Sequence, residues 1–532
     1  MLIAAPLYAF AADYAGSQAC APCHADLFRS FMRTPMAHSS GLVGTEEEKE
    51  RFDRAEFRDA QGAFTYTVGR EGTKYYFAFH EQGATQRGSK QAIQGRRQLD
   101  YFVGSGHAAR SYLMHIDGFL YEAPVSYFTS SGSWSSAPGY ASRPEPYLNR
   151  GVQPGCLECH ASGIQWIRGT PNAYSSPPFQ EGSVACERCH GPGSEHIASG
   201  KPMINPAKLA ARERDSICEQ CHLSGEIRVP KQGKDDLTFR PGDRLEDSVT
   251  TFVRSGSGAQ MRVTSHVEDL VQSACKKASG AKLWCGTCHD PHFVPAAAAK
   301  AEYFRTRCLS CHQAADCRAA QAARQAYGDD CIGCHMPRNP TTDVDHVVFT
   351  DHSIPRRKSA KMGLPEAEAA LVPFGGGTAG ARDLGLAYAM VGRREQIPTY
   401  LDRAFGLLRD AVAHGSADAQ AMANLAEFYR NRKDDAHALP LYEQAWRMDP
   451  TQAPVAAALG AYQMQRGNLD EAIRLWQRTL AIDPAMVLVR ANLAAALVRT
   501  GHTDQAQAVM QKALEFNPSF QPARDFLERP AK

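Results

Sequence analysis

One five-residue unit, C-x-x-C-H, occurs seven times in the chain. Its cysteine pairs are Cys20/Cys23, Cys156/Cys159, Cys186/Cys189, Cys218/Cys221, Cys285/Cys288, Cys308/Cys311 and Cys331/Cys334. The histidines that follow are His24, His160, His190, His222, His289, His312 and His335. Fourteen of the 16 cysteines are spent in this way, so their spacing constrains the chain more than their number does. Two thiols three residues apart on one helical turn both reach the vinyl groups on one edge of a haem. The next residue then lies under the iron and offers an axial imidazole. Structural zinc is the competing reading, because C-x-x-C pairs also combine into tetrahedral sites. Zinc has no need of a histidine directly after the second cysteine, and seven half-sites cannot pair evenly. The expectation is seven covalently attached c-type haems, with the fourteen cysteines holding the cofactor and the seven histidines as proximal ligands.

Distal ligands must come from elsewhere. Of the 19 histidines, seven are proximal and three (His414, His437, His502) fall in the C-terminal region. Nine remain for seven irons. In "CHDPH", His292 stands three residues past His289, an extended reach of at most about 10 Å. That is too short to round a macrocycle, so His292 is expected on a neighbouring haem. His196, beyond the break Gly191-Pro192-Gly193, is read in the same way, with a surface turn histidine as the alternative. His346 and His352 share one face of a β-like run, roughly 20 Å apart if extended, and so serve different irons. His107 and His266 stand beside small residues that permit close approach. His80 and His115 occupy aromatic, strand-like settings and are read as structural. For the first haem both Met36 and His38 are candidates, and a methionine ligand would raise its potential.

The remaining sequence divides into blocks. A chain of 532 residues exceeds one ordinary core. No run of 18 or more apolar residues appears, so no transmembrane span is expected. The start "MLIAAPLYAFAAD" reads as a secretory-signal remnant (1–16) with an A-x-A-like site at Ala9-Phe10-Ala11, which implies a periplasmic or extracellular protein. Residues 17–355 read as a heptahaem domain with a β-rich insertion at about 57–148, including a hairpin around Gly69–Gly72. Residues 356–381 read as a linker. Beyond it, Pro450, Pro484 and Pro518 recur every 34 residues, as do Leu425, Leu459 and Leu493, and Ala438, Ala472 and Ala506. Tyr442, Trp476 and Met510 keep the same register, so 382–532 is expected to be a tetratricopeptide α-solenoid. The expected fold class is mainly α with much irregular structure. The solenoid is read as a platform for a redox partner protein or for self-assembly, against the alternative of a rigid cap. The formal net charge of +2 leaves out two propionates per haem and gives no reason to expect nucleic acid. Cys275 and Cys317 stand outside the motifs, as a disulfide or as buried thiols.

The stretches "CERCHGPGSEH", "CEQCHLSG", "CGTCHDPH" and "CIGCHMPR" resemble multihaem cytochromes c related to the tetrahaem cytochrome of the nitrifiers' hydroxylamine pathway, in the subgroup with a tetratricopeptide tail. The resemblance implies stacked haem pairs, mostly bis-histidine ligation and electron transfer. There is no C-x-x-C-K unit, so the lysine-ligated catalytic haem of the pentahaem nitrite reductases is not implied. Three functions follow: an exported electron-transfer protein, an oxidoreductase acting on a small nitrogen or sulfur compound at one open-faced haem, or a subunit of a conductive filament. The supply of nine histidines for seven irons favours conduction over catalysis.

Overall fold

The computed structural model describes residues 14–45, 50–83, 92–140, 146–256, 262–344, 347–356 and 368–528. They form two compact units, both discontinuous in sequence. One comprises 1–40, 158–164 and 179–378, the other 41–157, 165–178 and 379–532.

The second unit holds most of the regular structure. Nine strands, β1 (Ser40–Leu42), β2 (Asp53–Arg58), β3 (Phe64–Glu71), β4 (Lys74–Glu81), β5 (Gln94–Leu99), β6 (Tyr101–Val103), β7 (Ala109–Ile116), β8 (Phe119–Phe128) and β9 (Ser133–Ser136), make two antiparallel sheets. Their orders are β1-β6-β7-β8-β9 and β2-β3-β4-β5. Alternation in β3 turns Phe64, Tyr66 and Val68 inward, and alternation in β4 does the same for Tyr75, Phe77 and Phe79. The expected hairpin pairs Glu71 with Lys74 across Gly72-Thr73, where Gly72 takes φ +60°. Buried Glu50 is held by Arg110 Nη1 at 3.2 Å and by the Tyr112 hydroxyl at 2.5 Å. The β-rich stretch is therefore more than a small insertion, and the fold is mixed α and β rather than mainly α.

The repeats are stacked helix pairs: Ala419–Asn431 with Asp435–Met448, Ala453–Gln465 with Leu469–Ile482, and Val487–Arg499 with Thr503–Phe516. A further pair, Ala381–Glu395 and Pro398–Ala413, precedes them. The leucine, alanine and Tyr442/Trp476/Met510 positions of the 34-residue repeat are buried. Ala438, Ala472 and Ala506 are fully enclosed, because only a methyl fits where paired helices touch, and Trp476 fills the space beside them. The last repeat joins the β-body core. Phe516 packs edge-on to Tyr121, its carbonyl accepts from Leu148 N–H at 2.7 Å, and Lys512 pairs with Asp117 at 2.7 Å. The β-rich stretch thus groups with the repeats, not with the motif-bearing residues around it in sequence.

The first unit carries the motif histidines on short helices and loops. Its regular parts include an antiparallel sheet of Ile227–Pro230, Val249–Arg254 and Leu371–Pro373, and the helix Ala211–His222. Ile217, Leu223, Phe239, Leu245 and Val267 form a small apolar cluster. Glu187, almost wholly buried, gathers loops by accepting from the backbone N–H groups of Ala15, Gly16 and Gly193. No described helix is long and apolar enough to cross a membrane.

Candidate functional site

Each C-x-x-C-H unit folds as one turn. The histidine N–H donates to the carbonyl of the first cysteine in the units of His24 (2.9 Å), His190 (3.1 Å), His289 (2.9 Å) and His312 (3.0 Å). That turn aligns both thiols and the imidazole along one side of the helix, as attachment to a flat macrocycle requires.

The histidines then meet in pairs from distant parts of the chain. The rings of His24 and His196 lie 6.3 Å apart between centroids, with planes 26° from parallel. His190 and His292 are 5.9 Å apart at 21°, and His289 and His352 are 6.3 Å apart at 35°. With metal–imidazole bonds of about 2 Å, two rings on opposite sides of one metal have centroids about 6 Å apart. His266 approaches both His222 and His352 edge-on at 4.9 Å, drawing four imidazoles into one cluster.

Ring orientation follows from the other nitrogen. Nδ1 contacts a backbone carbonyl in His190 (Ile204, 2.7 Å), His196 (Lys201, 2.8 Å), His352 (Thr350, 2.8 Å), His335 (Pro355, 3.1 Å) and His160 (Ser39, 3.3 Å). A carbonyl at Nδ1 fixes the tautomer with its proton there and leaves the Nε2 lone pair free for a metal. Burial holds His160, His190, His222 and His352 below the usual imidazole range. In His266, burial and the neighbouring imidazoles push the value down to about 2. Rings kept neutral in this way are competent ligands.

Thiols of different motifs also adjoin: Cys20 with Cys186, Cys159 with Cys221, Cys218 with Cys285, and Cys308 with Cys331. Cys23, Cys156, Cys311 and Cys334 are exposed, and the other motif cysteines are partly exposed. Among the described residues no disulfide joins Cys275 and Cys317. Turn geometry and the three imidazole pairs fit covalently bound haem, which the thiols would hold at one edge and the paired rings would ligate.

Other candidate ligands are placed differently. His38 Nε2 lies 2.7 Å from the Met32 carbonyl, and the Met36 carbonyl accepts from Val184 N–H. His107 is exposed and belongs to the β-body unit. His115 is tied to Asp100 and packs on Tyr101, and exposed His80 contacts Gln82. His346 lies outside the described residues. Sequence reasoning passed over the middle residues of the motifs, where Glu158 and Arg188 pair at 3.5 Å with side chains only 7% and 11% exposed. Their signal was opposite charge inside two C-x-x-C loops.

Known proteins match parts of the chain. A family model for cytochrome c554 and c-prime matches residues 135–191, and tetratricopeptide models match 419–448 and 463–527. The multiheme cytochrome MtrA of Shewanella baltica (strain OS185) is 24% identical over 151 residues, which is 26% of this chain and 45% of that protein. The chain thus spans about half the length of the curated relative it matches. Among solved structures, that of the outer cell wall cytochrome OcwA covers 97% of this chain and all of its own, at 14% identity and a TM-score of 0.42. The crystal structure of MamA covers 26% of this chain and 80% of its own, at 18% identity and a TM-score of 0.23. The chain is of the multihaem cytochrome class, and it carries C-terminal tetratricopeptide repeats.

Proposed function

We propose that the chain is an exported heptahaem c-type cytochrome that relays electrons through closely spaced, mostly bis-histidine haems, in the line of the hydroxylamine-pathway cytochromes. Three imidazole pairs near the spacing of a shared iron carry this reading. Numbering haems by motif, His196 serves haem 1, His292 serves haem 3 and His352 serves haem 5, and His266, 4.9 Å from both His222 and His352, is a candidate for haem 4. Haem 1 then needs neither Met36 nor His38. His196, His292 and His352 each follow another haem's attachment site in sequence, so ligation by them holds neighbouring macrocycles together. His107 and His346 remain candidates for the other irons.

When bound, the haem supplies an iron that changes oxidation state by one electron. The chain's own residues keep that change small in geometry. Carbonyl-tethered imidazoles hold their orientation, and burial limits the access of water, which tunes potential. The repeats and the β-body together form a platform for docking a redox partner or a second copy of the chain.

Mass spectrometry of matured protein is expected to show seven haem additions, and EPR low-spin signals. A haem-free or zinc-loaded protein would sink the proposal, and a persistent high-spin haem would favour an oxidoreductase with one open iron face.

A further inference from the structure

The two middle residues of a C-x-x-C-H unit take no part in haem attachment, so their side chains are free for other work. In motifs 2, 3 and 4 they interlock. Arg188, inside the third motif, donates from Nη2 to the carbonyl of Glu158 in the second at 3.0 Å and pairs with its carboxylate at 3.5 Å. Gln220, inside the fourth motif, donates from Nε2 to the Arg188 carbonyl at 3.2 Å. Its own carbonyl lies 3.8 Å from Cys159 Sγ and accepts from Arg228 Nη1 at 2.9 Å. The Arg188 guanidinium also contacts the Cys221 thiol and lies near that of Cys159. One buried arginine therefore sits in the attachment loop of haem 3, between sulfurs that would attach haems 2 and 4.

Arginine stays protonated at any ordinary pH. Once Cys159 and Cys221 are thioethers they carry no charge, so Glu158 is the countercharge in contact. In an interior of low dielectric, a fixed cation within a few ångströms favours the reduced form of an iron, which carries one positive charge fewer. Resting on the haem reading above, we propose that Arg188 is a built-in cation that locks the attachment loops of haems 2, 3 and 4 together and raises the potentials of these haems.

Redox titration of the full, haem-loaded protein at alkaline pH, followed optically and by EPR, tests this. Arg188→Gln is expected to shift part of the titration to lower potential, and Glu158→Gln to shift the same part upward. Arg188→Lys, which keeps the charge, should stay near the parent. A merely structural role would move Arg188→Gln and Glu158→Gln in the same direction, so shifts of one sign, or none, overturn the proposal. Should Arg188→Gln fail to mature, the upward shift of Glu158→Gln still decides. The mass of each variant, read alongside, separates this outcome from failure of the haem reading, which would show as missing haem in the parent protein.

Discussion

At the scale of single residues, an imidazole becomes an iron ligand through what surrounds it. Burial keeps the ring neutral, and a carbonyl at Nδ1 turns Nε2 outward. His190 has both, and His292 faces it at 5.9 Å. Substituting His292 with alanine removes one axial ligand without touching any thioether bond. His292→Ala is therefore expected to keep all seven haems by mass while converting one from low-spin to high-spin in the EPR spectrum. His196→Ala should do the same for haem 1, whereas Met36→Leu should leave its spectrum unchanged. A His292→Ala protein with an unaltered spectrum would mean that the pairing with His190 is not ligation.

At the scale of the element, β8 is enclosed along most of its length rather than on alternate residues, and it carries a largely buried carboxylate. Burial pushes Glu122 up to about 7, against the pull of Arg150 Nε at 3.1 Å. Its unfolded value is near 4.5, so between these pH values the folded chain binds more protons than the unfolded chain. Stability must then fall as pH rises from about 4.5 towards about 7, and the contribution of Glu122 is greatest at the acid end. Urea unfolding at pH 5 and pH 7.5 should show this loss, and Glu122→Gln should reduce it. Equal pH dependence in the two proteins would show that another group is responsible.

For the whole molecule, the informative residue is Phe516. It ends the last helix of the final repeat pair, yet its ring lies in the core of the β-body with Tyr121, and Arg490 stacks over it. Truncating a buried phenylalanine to alanine costs about 3–5 kcal/mol. Because this one side chain belongs to both parts, Phe516→Ala should lower the melting temperature seen in the far-UV signal of the helices and that seen in the near-UV signal of the sheet aromatics. A fall confined to the helical signal would mean that the two parts unfold independently.

Local chemistry and repetition were legible in the sequence alone. A C-x-x-C-H unit needs only one helical turn to do its work, and a 34-residue repeat buries its own leucine, alanine and tryptophan against its neighbour, so both can be read a few residues at a time. The motif is silent on its own surroundings, however: Glu158 and Arg188 meet across two motifs, and nothing in the motif spacing encodes that contact. That His292 approaches a histidine other than its own motif's was legible, because three residues cannot round a macrocycle. Which proximal ring each distal histidine faces was not legible. His24 meets His196, and His289 meets His352, only because distant segments pack side by side, and nothing in their spacing encodes that approach. The grouping of the β-rich stretch with the repeats was hidden for the same reason. Its contacts run between residues as far apart as Arg97 and Glu515, and the matching of two apolar surfaces is a property of the folded chain rather than of either stretch.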